Sequence, residues 1–434
     1  MLFRRVKFLV YLALIVSVVF LFGVASAEER SQTLPLLGYR SGTYAASGSG
    51  FLSGMEDYFS LINVKDGGVD GVKLAWEEYL YDYDVAKGLE MYEKIKGNAI
   101  IIQPYSTPLA TALLEPSEKA QVPLVTMGYG SSIAADGNVF AWVFPTSPTY
   151  YSQISAKIRF IANRLGGEEK LKGKKIAILH FDNSYGYEVI PILKVLSEKF
   201  GFELKNYAIK PPALDQTAAV LDAVKGFGAD WIINRMYGVS CQVLLKEAAK
   251  YDFPKDHIVG VWWCGAEEDV QPVGDAAKGV IAANFHGVGK NFPVIQDILT
   301  RVYGAGLGKL EKERVGSVYY DRGVIAGIVT VEAYRAALKK FGFPVTGKAM
   351  KWALDNLAIT DERLKEIGAQ GLMPSLQNSV SNHEGANSVL FQQWDGEKWM
   401  AITDWVKPYE EIVRAQIKTA VDAYIAKKQE AKKQ

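Results

Sequence analysis

The chain has 434 residues, 49% of them hydrophobic, which is enough for two or three ordinary domains with sizeable cores. Its formal net charge is +1, and no long block of one sign precedes the lysine-rich end at 427–433, which argues against nucleic acid as a partner because that needs a concentrated basic face. The four histidines and two cysteines show no metal-ligand spacing, so we expect neither a metal nor another cofactor.

The first 27 residues have the layout of a secretory signal peptide. Arg4, Arg5 and Lys7 precede an almost unbroken apolar run at 8–24, and Ala-Ser-Ala at 25–27 supplies the small residues of a cleavage site. We therefore predict cleavage after Ala27 and a mature protein in the periplasm, away from ATP and NAD. The alternative is an uncleaved anchor, because the apolar run approaches the ~20 residues that span a bilayer.

Short apolar runs alternate with amphipathic stretches, which predicts a parallel α/β architecture. In the first half of the chain, strands are predicted at 36–39, 72–77, 99–103 and 124–127, and helices at 54–63, 85–96 and 108–120. In the second half, strands are predicted at 175–180, 203–209, 230–234 and 258–261, and helices at 189–200, 217–227 and 241–250. Because the order repeats although the residues do not, two similar doubly wound lobes are the simplest account.

Hydroxyl residues mark several predicted helix starts. Thr107 and Ser147 each stand before a proline, and Thr346 and Thr360 precede helical patterns, so all four are predicted caps. After about residue 375 the pattern changes: 388–394 and 398–405 resemble strands joined by a tight turn at Asp395 and Gly396. A closing helix is predicted at 410–428, followed by a solvated tail.

The sequence gives no support for catalysis. The glycine-rich stretch at 48–54 has the general look of a dinucleotide-binding turn, but its third glycine falls one place late. Neither a Gly-x-Ser-x-Gly elbow nor a His-Glu-x-x-His pair is present, so we predict that the protein is not an enzyme. Cys241 and Cys264 either pair as a disulfide or remain two buried thiols, and the sequence favours neither.

Four segments resemble the extracytoplasmic solute-binding proteins of ABC importers, of the branched-chain amino acid (Leu/Ile/Val-binding) type. Residues 39–48 are similar to the loop after that family's first strand, and 63–71 (NVKDGGVDG) to the turn before its second strand. Residues 181–186 (FDNSYG) are similar to the segment that opens its second lobe, and 276–280 (AAKGV) to the segment before a crossover. The resemblance covers about 34–405, and the order and spacing of the motifs carry it.

The resemblance implies a type I periplasmic binding fold, in which two α/β lobes are joined by a three-segment hinge and hold a solute in the cleft. The predicted lobes are 28–145 with 293–375, and 146–292 with 376–407, followed by a helix and tail at 408–434. The resemblance also implies a small-molecule solute, an inner-membrane ABC permease as partner, and a monomer. The alternative function is a ligand sensor of the same fold that hands its signal to a receptor or regulator.

The candidate ligand-binding residues follow predicted strands, because ligands bind beyond the carboxyl ends of parallel strands. They are Arg40, Tyr44, Tyr105, Ser106, Thr107, Gly128, Tyr129, Tyr185, Tyr237 and Trp263. By resemblance, the hydroxyls at 106 and 107 meet a ligand carboxylate, the backbone at 128 and 129 contacts the ligand, and the tyrosines at 185 and 237 close over it. The alternatives are a helix cap for Thr107, rim packing for Tyr129, lobe core for Tyr185 and Tyr237, and a surface ion pair for Arg40.

Trp263 is the main departure from the amino-acid-binding members. Those members place a carboxylate soon after this strand to bind the ligand's ammonium group, and the matching position here falls on or near Trp263. A buried ammonium without a carboxylate partner costs several kcal/mol. The sequence therefore favours an aromatic or amide ligand over a branched-chain amino acid. In the alternative, the loop shifts and Glu267 or Glu268 takes the ammonium.

Overall fold

The computed structural model describes residues 30–431 and 433, so the predicted signal peptide and its cleavage site lie outside the described residues. The strands are β1 (Ser31–Gly38), β2 (Lys73–Leu80), β3 (Leu124–Val125), β4 (Val143–Phe144), β5 (Lys175–Phe181), β6 (Glu203–Ile209), β7 (Trp231–Arg235), β8 (Ile258–Gly260), β9 (Ile281–Asn284), β10 (Ala358–Ile359), β11 (Leu376–Gln377), β12 (Leu390–Trp394) and β13 (Trp399–Ala401).

The α-helices of the described chain alternate with these strands, and 3₁₀ and π turns connect some of them. They are α1 (Ala45–Asp66), α2 (Val85–Ile95), α3 (Thr107–Ala112), α4 (Leu114–Ala120), α5 (Tyr150–Leu165), α6 (Ser184–Tyr187), α7 (Ile190–Phe200), α8 (Thr217–Leu221), α9 (Val239–Ala249), α10 (Glu267–Val270), α11 (Pro293–Asp297), α12 (Val318–Phe341), α13 (Gly347–Asp355), α14 (Asp361–Glu366) and α15 (Glu410–Ala431). Within the described chain, every helix is too short or too polar to cross a bilayer.

The first lobe is built on short parallel pairs of strands. β1 pairs with β2 over their full length, and β3 pairs with β4. The strand predicted at 99–103 is reduced to one bridge, Ile102 with Leu124. The reason is that only Ile102 exchanges backbone hydrogen bonds with this neighbour, donating to Pro123 O at 3.0 Å and accepting from Val125 N at 2.9 Å.

The second lobe contains a seven-stranded sheet in the order β13-β12-β9-β8-β7-β5-β6. Strands β5 to β9 run parallel, and β12 and β13 add an antiparallel edge. The predicted tight turn is confirmed, because Asp395 N donates to Lys398 O at 3.1 Å between these two strands. Strand order reverses between β5 and β7, and such a switch point opens a crevice at the carboxyl ends of the strands.

Two of the four predicted helix caps are confirmed and two are wrong. Thr346 and Thr360 accept hydrogen bonds from the backbone three residues on. At α3 the cap is Ser106, whose hydroxyl accepts from Leu109 N at 3.3 Å, and Thr107 is already the first helical residue. At α5 the cap is Thr149 rather than Ser147, because Pro148 is not yet helical. The predicted helix 108–120 is two helices, α3 and α4, which meet at Leu113.

Three crossover segments, at about 144–149, 285–293 and 372–384, lie side by side between the lobes. Thr146 N in the first donates to His383 O in the third at 2.9 Å, and Gly287 N in the second donates to Leu372 O at 2.7 Å. The Glu384 carboxylate accepts from Thr149 N at 2.7 Å and from Arg414 at 2.8 Å. These bonds hold the three segments together as one hinge.

A disulfide joins Cys241 to Cys264, with the Cα atoms 5.8 Å apart. Cys241 lies in the first turn of α9, and Cys264 ends the turn that follows β8. Of the two alternatives that the sequence left open, the structure shows the pairing. The bridge fixes the loop that carries Trp263 to the neighbouring helix.

Candidate solute-binding site

A cavity of about 180 Å³ lies between the two lobes at the carboxyl ends of the strands. Nine tyrosines and one tryptophan line its wall: Tyr39, Tyr44, Tyr83, Tyr105, Tyr129, Tyr150, Tyr185, Tyr237, Tyr319 and Trp263. An apolar cavity of roughly 150 Å³ accommodates benzene. The cavity therefore suits a solute with one small ring or a short side chain.

The second lobe presents its aromatic side chains from loops that leave the parallel strands. Tyr185 follows β5, Tyr237 follows β7 and Trp263 follows β8. Trp263 Nε1 donates to the Tyr150 hydroxyl at 2.8 Å, which sets the indole at the cavity wall. Trp262 is fully buried and stacks on Tyr150 with centroids 5.6 Å apart. One tryptophan thus faces the cavity and the other supports it from within the lobe.

The first lobe contributes a stack of rings centred on Tyr105. This ring lies 3.8 Å from Phe51 and 5.6 Å from Tyr39, centroid to centroid. Its backbone has a positive φ of 43°, and its N–H donates to the Tyr129 hydroxyl at 2.7 Å. Tyr129 therefore positions Tyr105 as well as lining the cavity.

The structure brings eight of the ten predicted site residues to this cavity, all except Arg40 and Gly128. Arg40 forms ion pairs with Glu56, at 2.7 Å, and with Glu78. This is the ion-pair alternative that the sequence offered for this residue. Gly128 has a φ of 77°, and a Cβ there would lie 2.3 Å from Pro148 O. Glycine is required at this position because the first crossover segment approaches the backbone closely.

Ser106 and Thr107 both line the cavity, in different ways. The Ser106 hydroxyl is occupied as the cap of α3. The Thr107 hydroxyl accepts from Gly130 N at 3.2 Å and lies 3.2 Å from the Tyr150 hydroxyl of the opposite lobe. Both hydroxyls are therefore already engaged, Ser106 within its own lobe and Thr107 with partners that include the opposite lobe.

Several residues of the cavity wall are not among the predicted site residues. Tyr39 directly follows β1, and Tyr83 lies three residues after β2. Both could have been predicted, because ligands bind beyond the carboxyl ends of parallel strands. Tyr150 opens α5 after the first crossover segment. Tyr319 lies on α12, far along the chain from the other wall residues, and only the packing of α12 beside the cleft brings it there. No local pattern signals such a position.

Three acidic residues follow β8, and each is already engaged across the lobes. Glu267 does not line the cavity, and it accepts from Val318 N at 3.0 Å. Glu268 pairs with Arg314 at 2.8 Å. Asp269 accepts from the Tyr319 hydroxyl at 3.0 Å, and burial raises the pKa of Asp269 to about 8. Burial likewise raises the pKa of Glu267 to about 7. Near neutral pH, the Asp269 carboxyl is therefore mostly protonated.

The tyrosine hydroxyls are neutral hydrogen-bonding groups at physiological pH. Burial raises the pKa of Tyr105 to about 12, and it also raises the pKa of Tyr150 and Tyr185. The Tyr185 hydroxyl is buried and has no hydrogen-bond partner within the described structure. Among the described residues, no group of histidine, cysteine or acidic side chains is arranged to hold a metal ion.

Comparisons with known proteins agree with this geometry. The profile of the periplasmic binding protein family matches residues 31–398. A solved structure named an ABC transporter permease from the Pseudomonas fluorescens group is 39% identical, with a TM-score of 0.88 over 92% of this chain and 98% of that chain. Among curated proteins, none matches this chain.

Two more distant structures share the fold. A branched-chain amino acid ABC transporter from Thermus thermophilus with bound valine is 19% identical, with a TM-score of 0.73 over 89% of this chain and 98% of that chain. An R. palustris solute-binding protein of an ABC transporter, in complex with 4-hydroxybenzoate, is 16% identical, with a TM-score of 0.68 over 87% and 97%. This chain belongs to the periplasmic binding protein family, in its type I, Leu/Ile/Val-binding branch of non-enzymatic ABC transporter solute-binding proteins.

Proposed function

We propose that this protein captures a small aromatic solute in the interlobe cavity, outside the cytoplasmic membrane, and delivers it to an ABC permease. The observation that carries the proposal is the wall of nine tyrosines and Trp263 around a cavity the size of one ring. Aromatic rings pack on one another in offset or edge-to-face geometry, which favours a ring-bearing solute. The predicted cleavage after Ala27 accords with this location. With the predicted lobe boundaries near 145, 293 and 376, the residues that line the cavity come from both lobes, which supports a solute held between them.

A branched-chain amino acid fits this cavity less well. Its ammonium would need an ionised carboxylate, but Glu268 is paired with Arg314, and Glu267 is directed to the backbone of α12. Asp269 lines the cavity and is mostly protonated near neutral pH. The 4-hydroxybenzoate-bound relative has the same fold, which supports the aromatic class, whereas the valine-bound relative supports the amino acid class.

A thermal-shift screen of the mature protein tests the proposal. The panel contains benzoate, 4-hydroxybenzoate, benzamide, leucine, valine and urea. Because a ligand that binds only the folded state raises the melting temperature, we expect a shift with at least one aromatic compound and none with leucine or valine. Shifts with leucine and valine alone would overturn the proposal.

The Trp263→Ala substitution should weaken binding of the aromatic ligand roughly tenfold or more, because a stacked ring contributes about 0.5–1.5 kcal/mol beyond the area it buries. Titration calorimetry measures the loss. Trp352→Ala is the matched control, since Trp352 lies on α13 and does not line the cavity. Micromolar leucine binding that survives Trp263→Ala but is abolished by Glu267→Gln or Glu268→Gln would show that the acidic residues hold an ammonium group.

A further inference from the structure

We infer that the solute is an anion, and that Arg235 and Arg322 select its charge from behind the aromatic wall. This inference rests on the proposed function and adds the charge of the ligand to it. Both arginines are 1% exposed, and neither lines the cavity itself. The guanidinium group of each arginine lies against aromatic rings that line the cavity.

Arg235 ends β7 in the second lobe. Its carbon Cζ lies 4.3 Å from the centre of the Tyr150 ring and 4.2 Å from that of Tyr185. Its Nε and Nη2 both donate to the backbone carbonyl of Tyr185, and Nη1 has no partner within the described structure. The charge is therefore held by a neutral acceptor, directly behind two rings of the wall.

Arg322 occupies the equivalent place behind the other side of the wall. Its Cζ lies 4.8 Å from the Trp263 ring and 5.3 Å from the Tyr319 ring. It donates to Trp262 O at 2.6 Å and to His286 Nε2 at 3.3 Å, and Nη1 again has no partner within the described structure. Burial and the neighbouring Arg322 keep the pKa of His286 well below its usual value, so this acceptor is neutral too.

Burial disfavours the charged forms of the other titratable groups near the two arginines. Near Arg235, burial raises the pKa of Glu188, whose carboxyl group already accepts from Ser132 N at 2.7 Å, and burial holds the pKa of Lys157 well below its usual value. The positive charge of Arg322 lowers the pKa of Glu267 and of Asp269, but burial has the larger effect and raises these pKa values to about 7 and about 8. Buried charge without an ionised partner is costly. An anionic ligand on the opposite side of the rings supplies the missing counter-charge.

Three further features of the wall favour a negative group. The 22-residue α1 and the 11-residue α9 both start at the cavity, from opposite lobes, and neither has a capping side chain or an acidic residue in its first turn. Uncapped helix starts present N–H groups and partial positive charge to a ligand. The third feature is the buried Tyr185 hydroxyl, which has no partner in the described structure and is a donor available to a carboxylate.

Benzoate and benzamide test the inference because they share a shape and differ in charge. Titration calorimetry of the mature protein at pH 7 should show benzoate binding at least roughly tenfold more tightly than benzamide, as expected for charges interacting through a partly buried site. Equal or tighter binding of benzamide, or of the cation benzylamine, would overturn the anion inference and leave the aromatic proposal standing. No binding of any of the three, or of 4-hydroxybenzoate, would overturn both.

Variants of Arg235 separate charge selection from support of the fold. Arg235→Gln should lower benzoate affinity roughly tenfold and leave benzamide affinity within about threefold of that of the unmodified protein. Only the charged ligand loses a favourable interaction with the Arg235 cation. Arg235→Lys keeps the charge and should retain most of the preference for benzoate. An equal loss for both ligands in Arg235→Gln would show a purely structural role and contradict the assignment. Since the comparison of benzoate with benzamide needs only the unmodified protein, the inference remains testable if a variant fails to fold.

Discussion

Replacing both cysteines by serine should lower the free energy of unfolding by about 3 kcal/mol, the entropy that a bridge across a loop of this length removes from the unfolded chain. The bridge joins Cys241 to Cys264, which are 23 residues apart, and both side chains are buried. Urea denaturation of the double variant measures the loss. Binding should weaken as well, because Cys264 neighbours Trp263 in the same turn.

Reductant provides the control for the cysteine variant. It should destabilise the unmodified protein by a similar amount and leave the double variant unchanged, since the variant has no bridge to break. Equal stability of the unmodified protein with and without reductant, under conditions where free thiols are detected, would contradict the structural role assigned to the bridge.

Adding a methyl group between α1 and α12 should also destabilise the protein, by roughly 1–3 kcal/mol for each substitution. A Cβ at Gly54 would lie 2.1 Å from Tyr320 O, and one at Gly323 would lie 2.0 Å from Phe51 O. The neighbours are backbone atoms, which cannot move aside as a side chain can. This overlap outweighs the ~1 kcal/mol that alanine gains over glycine in a helix interior.

Gly54→Ala and Gly323→Ala are each compared with Gly97→Ala by thermal and urea unfolding. Gly97 is the matched control, because no atom lies within 4 Å of a Cβ added there. We expect unfolding at lower urea for the first two and little change for the third. Unchanged stability of Gly54→Ala would mean that the two helices do not pack as closely as described.

The sequence predicted the second-lobe strands better than those of the first lobe. β5, β7 and β8 are buried apolar runs with turn residues on either side, and the sequence predicts each of them to within a few residues. The sequence does not predict β9, and the predicted strand 99–103 is a single bridge, because its pairing depends on neighbours distant in sequence. The sequence predicts that α1 starts at 54, whereas it starts at 45, since its glycines resemble loop residues until α12 packs against them.

The candidate site was predictable where side chains follow strands. Tyr185, Tyr237 and Trp263 leave the ends of β5, β7 and β8, and all three line the cavity. Arg40 follows a strand too, but its charge is taken by Glu56 and Glu78, whose positions on α1 and β2 only the packing determines. Tyr319 and the two arginines behind the wall could not be predicted, because no local pattern connects them to the cleft.

We expect a bound solute to bridge the two lobes and hold them closed. Contacts across the cavity already link the lobes, including the Tyr44 ring with Tyr237 at 5.1 Å and Arg314 with Glu268 at 2.8 Å. A ligand that contacts both walls favours this closed arrangement over an open one. Small-angle X-ray scattering, with and without a saturating aromatic ligand from the screen, tests this directly. We predict a smaller radius of gyration with ligand, and an unchanged scattering profile with binding confirmed by calorimetry would contradict the claim.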